Sequence, residues 1–363
     1  MGTTTTTDRI YNFSAGPGTL PEEVMLEVKA ELPVYKDLGA SVMEISHRSA
    51  GYTAITEAAR EHLRVLLGLT DDWHILFMQG GASMQFHQVP LNFLPATGSA
   101  DYLITGAWSK KALKEAQFLG ATRVAASSAD DNFNYIPVPD TWHLDPDAAY
   151  LHYTSNNTIF GTQYADEPRA DVPLVCDASS DFMSRGLSLN RYGLIYAGAQ
   201  KNIGPAGMTL VLVRDDFLQR RNNPLPTLLD YGTHTAKLFH TPPVFAVYVV
   251  EKVLRWVRDL GGLAAIEKIN ETKSARLYGR IDATEFYRGT AVPSARSKMN
   301  VTFRLPNEEL ETAFVTEAKE AGLDALKGHR SVGGVRASIY NACPLEAVEA
   351  LISFMDDFER MNG

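Results

Sequence analysis

The sequence predicts an α/β protein, a mostly parallel sheet covered by helices, followed by a smaller α+β unit. Short apolar runs alternate with longer stretches of helical periodicity up to about residue 270. Several of those runs end in glycine or small polar residues, as turns at a sheet edge do. Beyond residue 270 the alternation gives way to strand, helix, strand, helix.

Taken in order, Pro21–Glu31 and Ile55–Leu67 carry helical spacing, and His74–Met78 is the first strand. The helix Ser83–Phe93, the strand Tyr102–Thr105 and the helix Ser109–Phe118 follow. Four apolar runs then read as strands: Ala148–Tyr153, Pro173–Cys176, Leu194–Ala197 and Thr209–Val213. Pro242 and Pro243 lead into a helix over Phe245–Leu260 that Gly261-Gly262 stops, and Leu263–Tyr278 is again helical. In the last part Ser297–Leu305 and Gly334–Ile339 are strands, and Glu308–Ala321 and Leu345–Met361 are helices. We therefore expect a large domain over 20–270 and a small one over 271–363 that also takes in segment 9–19. The threonine-rich residues 1–8 are expected to be a disordered polar tail.

Composition narrows the function. With 34 Lys plus Arg against 43 Asp plus Glu the net charge is −9, which argues against nucleic acid or an acidic membrane as partner. Any anionic ligand must be drawn by a local basic cluster. No apolar stretch approaches the roughly 20 residues that span a bilayer, and the N-terminus has no secretory pattern. Cys176 and Cys343 are the two cysteines, which suits a reducing cytoplasm and offers no metal-ligand cluster.

Lys201 is the most informative residue. It follows the run Gly193-Leu-Ile-Tyr196, with Gly204, Pro205 and Gly207 just after it. A lysine near a strand tip with little water around it loses its proton easily and attacks carbonyl carbon. Such an amine suits a Schiff base with pyridoxal phosphate. Asp177 directly follows another apolar strand. It reads either as a helix cap or turn aspartate, or as the carboxylate that keeps a pyridine nitrogen protonated. Met78-Gln-Gly-Gly-Ala-Ser83 lets backbone approach an anion where a helix begins. Trp108 follows a strand and precedes a helix, as a core tryptophan or as a flat ring stacked on a planar cofactor. Thr158 offers a hydroxyl after the strand ending at Tyr153. Two basic groups, His47-Arg48 and His329-Arg330 with Arg336, are either solvated surface or anion sites. Arginine forks match carboxylate and phosphate oxygens.

Phe13-Ser-Ala-Gly-Pro-Gly18, Ser46-His-Arg-Ser49, the segment Tyr196–Gly207, His240-Thr-Pro-Pro243, Leu326-Lys-Gly-His-Arg330 and Arg336-Ala-Ser-Ile-Tyr-Asn341 together resemble the phosphoserine aminotransferase family, from about residue 10 to the C-terminus. The resemblance implies a pyridoxal-phosphate-dependent transferase of fold type I, in the class-V aminotransferase group, working as a cytoplasmic homodimer with shared active sites. It implies transfer of an amino group between glutamate and 3-phosphohydroxypyruvate in serine biosynthesis; the related phospho-substrate of vitamin B6 synthesis is an open alternative.

By the same resemblance Lys201 is the Schiff-base lysine, Asp177 the partner of the ring nitrogen, Trp108 the stacking ring, and Thr158 a hydrogen-bonding neighbour. Ala82, Ser83 and Gln200 hold the cofactor phosphate, with His240 and Thr241 reaching it from the other subunit. Arg48 and Arg336 take the substrate carboxylate; His47, His329 and Arg330 surround its phosphate. Two positions depart from the family pattern. Ser83 stands where some members have arginine, and His240 where asparagine is common, so a charge that varies near neutral pH faces the phosphate. Rival readings are another class-V enzyme, such as a serine–glyoxylate aminotransferase or a cysteine desulfurase, and a non-catalytic carrier of the cofactor. A desulfurase needs a mobile cysteine, and Cys176 lies in a strand while Cys343 precedes a proline.

Overall fold

The computed structural model describes residues 9–363; the tail expected over 1–8 lies outside the described residues. Its centre is a seven-stranded sheet. The strands run, edge to edge, Trp73–Met78, Thr209–Arg214, Tyr192–Gly198, Leu174–Asp177, Leu151–Thr154, Ser99–Ile104 and Ala121–Ser127. Thr209–Arg214 is antiparallel to both of its neighbours, and the remaining pairs are parallel.

Alternation along the strands supplies two cores, because successive side chains leave opposite faces of a sheet. Ile75, Phe77, Ile195, Ala197, Leu210 and Leu212 face one side, where Ala50–Leu67 and Val244–Asp259 pack. Leu76, Met78, Leu194, Tyr196, Val211 and Val213 face the other, under Gly81–Phe93 and Ala107–Gln117. Burial on both faces explains why these strands read as continuous apolar runs.

A third core lies between the antiparallel strands Arg288–Gly289, Asn300–Arg304 and Val335–Ser338 and the helices Glu308–Glu320 and Leu345–Asn362. Tyr11–Asn12 pairs in parallel with Leu323–Asp324, and Phe13 is buried in this core. Helix Gly262–Asp282 runs unbroken through residue 270: Leu263 and Ile266 belong to the first core, Leu277 and Ile281 to the third.

Polar side chains stitch the two parts together. Asn156 Nδ2 donates to Asn300 Oδ1 at 2.8 Å, and Asn300 Nδ2 donates to Ser338 Oγ at 2.9 Å. Asn202 Oδ1 accepts from the Asn341 N–H at 3.0 Å. The fully buried Lys273 ammonium donates to the carbonyls of Ile339, Tyr340, Asn341 and Cys343. Four carbonyl acceptors compensate a buried charge that has no carboxylate partner.

A helix start and an unread strand stand out among the differences from the sequence reading. The helix expected from Ile55 begins at Ala50, because Ser49 caps it by accepting from the Tyr52 N–H at 3.3 Å. The edge strand Ala121–Ser127 had no sequence signal: among its residues Ala125 is the buried one, so no apolar run marks it.

Candidate active site

The candidate residues gather along one sheet edge, at the carboxyl ends of the parallel strands, where open α/β sheets bind ligands. Asp177 closes its strand, and Lys201 follows the end of the neighbouring one. Asp177 is 4 % exposed, and its Oδ1 accepts from Ser179 N at 3.1 Å and Ser179 Oγ at 2.6 Å. Ser179 Oγ also accepts from the Gly198 N–H at 3.1 Å, so one hydroxyl ties the aspartate to the lysine-bearing strand. Oδ2 has no hydrogen-bond partner among the described residues.

Burial pushes the Asp177 carboxyl up, against the Lys201 charge and the Ser179 hydrogen bonds. Burial also pushes the Lys201 amine down, opposed by the carboxylates of Asp177 and Asp181. Lys201 keeps part of its surface open to the cleft, yet its amine sits deep enough to lose most of its hydration. Both shifts have one cause, the loss of water around a charged atom.

Lys201 Nζ lies 5.6 Å from the centre of the Trp108 ring. Trp108 stands in the first turn of helix Ala107–Gln117, and its Nε1 donates to Thr158 Oγ1 at 3.1 Å. Arg336 Nη1 donates to the Thr158 carbonyl at 3.0 Å. Thr158 thus joins the indole to an arginine of the C-terminal sheet. Arg336 Nε is buried without a partner.

Helix Gly81–Phe93 opens two residues before the expected start at Ser83, after Gly80 at φ +87° and with Gly81 at φ +65°. That left-handed backbone favours glycine, and a Cβ on Gly80 would come within 2.5 Å of Met84 Cβ. The Ala82 and Ser83 N–H groups donate to no partner among the described residues, which leaves them free for an anion. The Gln200 side chain lies against Gly198 beside Lys201.

The residues expected to bind substrate, with His240 and Thr241, fall into two groups within one chain. His329, Arg330 and Arg336 lie close enough for the two arginines, with Lys111, to push the His329 pKa below normal, after burial itself. His47 and His240 instead line a cavity of about 270 Å³ with His234. Gln79 Nε2 donates to the Thr241 carbonyl at 2.8 Å, so that segment lies beside its own glycine turn. Arg48 is exposed, with its backbone N–H on Ser46 Oγ. No hydrogen bond or ion pair among the described residues joins this second group to Lys201 or Asp177.

Both His240 ring nitrogens are buried without a hydrogen-bond partner. Burial, then the neighbouring His234 and His47, hold its pKa below the usual histidine value; the nearby Phe77 backbone opposes this without hydrogen-bond geometry. The ring is therefore neutral at neutral pH, and the sensitivity expected there moves to the acid side.

Sequence reasoning passed over three residues here. Ser179 was visible in principle, since a serine two places after an aspartate commonly hydrogen-bonds to it. Asp181 is buried, with Oδ2 accepting from Gln163 Nε2 at 3.1 Å and Oδ1 from Ser155. Lys111 Nζ lies 4.4 Å from the centre of the Trp108 ring. Nothing in the chain's patterning distinguishes Lys111 from an ordinary helix-surface lysine. Both cysteines are buried, and burial pushes both thiols up, which leaves a desulfurase without its nucleophile. Among the described residues no cluster of three or more metal-ligating side chains occurs, and no helix is long and apolar enough to cross a membrane.

With that lysine, carboxylate, indole and glycine turn on one sheet edge, the chain belongs to the class-V aminotransferase family, whose model matches residues 10–351. Within that class it is 53 % identical to a phosphoserine aminotransferase of Desulfosudis oleivorans, over 98 % of this chain and 99 % of that protein. The solved phosphoserine aminotransferase of Bacillus circulans subsp. alkalophilus superposes with a TM-score of 0.96 at 48 % identity, covering 98 % of this chain and all of that one. A phosphoserine aminotransferase from Trichomonas vaginalis, solved with pyridoxal phosphate bound, superposes at 0.92 with 39 % identity, over 96 % of this chain and all of that one.

The cofactor is pyridoxal phosphate, and the residues present fit it. A free carboxylate oxygen on Asp177, unpaired N–H groups at Ala82 and Ser83, and a dehydrated amine on Lys201 answer its ring nitrogen, phosphate and aldehyde respectively.

Proposed function

We propose that this aminotransferase moves an amino group from L-glutamate to 3-phosphohydroxypyruvate, giving O-phospho-L-serine and 2-oxoglutarate for L-serine biosynthesis in the cytoplasm. The observation that carries this reading is a set of cations without acidic partners beside Lys201. Arg330, Arg336 and Lys111 crowd around the His329 imidazole in a chain of net charge −9. Like charges held together at a cost are stabilised by a doubly charged ligand. Near-full-length similarity to phosphoserine aminotransferases supports the same substrates.

When bound, pyridoxal phosphate supplies the carbonyl carbon for imine formation and an electron-accepting ring beside the substrate α-carbon. Asp177 Oδ2, fixed through Ser179, keeps the ring nitrogen protonated. Lys201 Nζ, its pKa pushed down by burial, would take the proton from the substrate α-carbon and pass it to the cofactor's aldehyde carbon, acting as base and then acid. Trp108, held by Thr158, fixes the plane against which Lys201 works. Ala82, Ser83 and Gln200 hold the cofactor phosphate. Arg336 and Arg48 take the substrate carboxylate; His329, Arg330 and His47 take its distal phosphate or the glutamate γ-carboxylate.

His47, Arg48, His240 and Thr241 stand apart from the lysine within one chain, so we assign them to the site of a second copy in a symmetric dimer. The cleft then lies between a cofactor-holding unit over 20–270 and a smaller unit over 271–363 with 9–19. The test is direct: the purified holoenzyme is mixed with glutamate and 3-phosphohydroxypyruvate, and 2-oxoglutarate and O-phosphoserine are measured. Formation of both in equal amounts is expected. Turnover with glyoxylate and serine, but none with the phospho-acid, would refute the reading.

A further inference from the structure

We propose that Glu311 and Arg304 are positioning residues that pre-form the anion-binding loop 328–334, a role that rests on His329 and Arg330 being substrate-phosphate ligands. Glu311 is buried on helix Glu308–Glu320. Its Oε1 accepts from Arg304 Nε and from Leu305 N, the latter at 3.4 Å. Its Oε2 accepts from the Gly334 N–H at 3.1 Å. Arg304 Nη1 in turn donates to the Val332 carbonyl at 3.1 Å. One ion pair therefore grips the loop backbone at two points, on either side of Gly333.

That grip reaches the ligands through the turn itself. The His329 carbonyl accepts from Val332 N and Gly333 N, both at 2.9 Å, and Gly328 N donates to the Gly334 carbonyl at 2.9 Å. Gly334 sits at φ +71°, where a Cβ would lie 2.7 Å from Arg304 Cδ and 2.8 Å from the Phe303 carbonyl. Glycine lets the loop lie flat on the arginine. Arg304, His329, Ser331 and Arg336 line one cavity of about 360 Å³, so the clamp and the ligands face the same space.

Two physical arguments give the pair more than a packing role. Ordering a glycine-rich loop costs backbone conformational entropy, and that cost falls on binding unless the free protein has already met it. The loop also brings Arg330 and the protonatable His329 close to Arg336 and Lys111, and neither Glu311 oxygen is spent on neutralising them. The carboxylate holds backbone instead, which leaves the Arg330 charge and a protonatable His329 available to an incoming anion.

The test uses the holoenzyme with Glu311→Gln, which keeps the side chain's size but loses its charge and one acceptor, and with Arg304→Met. O-Phospho-L-serine is titrated against the cofactor's visible absorbance, and KM for 3-phosphohydroxypyruvate is separated from kcat. Expected is a rise of about tenfold in the dissociation constant and in KM as pre-organisation is lost. Affinity for pyridoxal phosphate and kcat should stay within about twofold, and Arg304→Lys should recover part of the loss. Unchanged phosphoserine affinity in a folded variant overturns the proposal. So does an equal loss of cofactor affinity, or failure of both variants to fold, since either marks a general structural role. A parent enzyme that does not bind O-phosphoserine would instead sink the substrate reading, and is told apart by that control.

Discussion

Lys201 and Asp177 show how one environment sets two opposite needs. Removing water favours the neutral amine that can attack and abstract, and the same burial pushes the carboxyl beside it up, against the hydrogen bonds from Ser179 that favour its ionised form. Lys201→Ala should remove the visible absorption of lysine-bound cofactor and all measurable transamination; retained activity would refute the assignment. His240 offers a pH signature. A bound phosphate favours the protonated ring, so cofactor affinity should rise as pH falls through the His240 pKa, which burial places below the usual 6.5. Parent protein should therefore hold pyridoxal phosphate more tightly at about pH 6 than at pH 8, and His240→Asn should show no such difference. Equal pH profiles for the two proteins would count against it.

Helices and strands deliver these side chains through ordinary local chemistry. The helix Ala50–Leu67 that follows His47 and Arg48 starts at its Ser49 cap and stops at Gly68 in a left-handed conformation. Ser49→Ala should cost about 1 kcal/mol of stability, read as a lower urea midpoint with an unchanged slope. No measurable change would mean that packing alone sets that helix start. The cap was legible as a serine before a helix, but Ala50-Gly-Tyr-Thr lacks the apolar spacing that would have extended the reading back to it. Strands with both faces buried were legible because apolar residues are continuous in them. The edge strand Ala121–Ser127 was not, since most of its side chains face solvent and Ala125 is the one buried residue, which removes the need for that pattern.

Across the molecule, a polar seam of Asn156, Asn300, Asn202, Asn341 and Lys273 sets the C-terminal sheet against the strand edge that holds Asp177 and Lys201. Arg336 reaches Thr158, and through it Trp108, by way of this seam. The proposed dimer, in which His47, Arg48, His240 and Thr241 complete the partner's site, can be checked without a structure. His240→Asp puts a like charge against the cofactor phosphate and should silence its partner's site. Lys201→Ala silences its own. Mixing the two inactive proteins under subunit exchange should restore activity, because a hybrid dimer carries one site with both defects and one with neither. Continued inactivity after demonstrated exchange would place both residues in the same site.

Patterning in the chain was sufficient for the α/β architecture, the strand tips and the residue types that the chemistry requires, because burial of a two-faced sheet and binding at its carboxyl edge both leave local signatures. Resemblance of motifs then extended that reading to individual ligands. The hydrogen bonds of Ser179, the approach of Lys111 to Trp108 and the clamp of Glu311 on a loop more than twenty residues away became visible only in three dimensions. Each depends on which elements pack together, and spacing along a chain carries no record of contacts between distant segments.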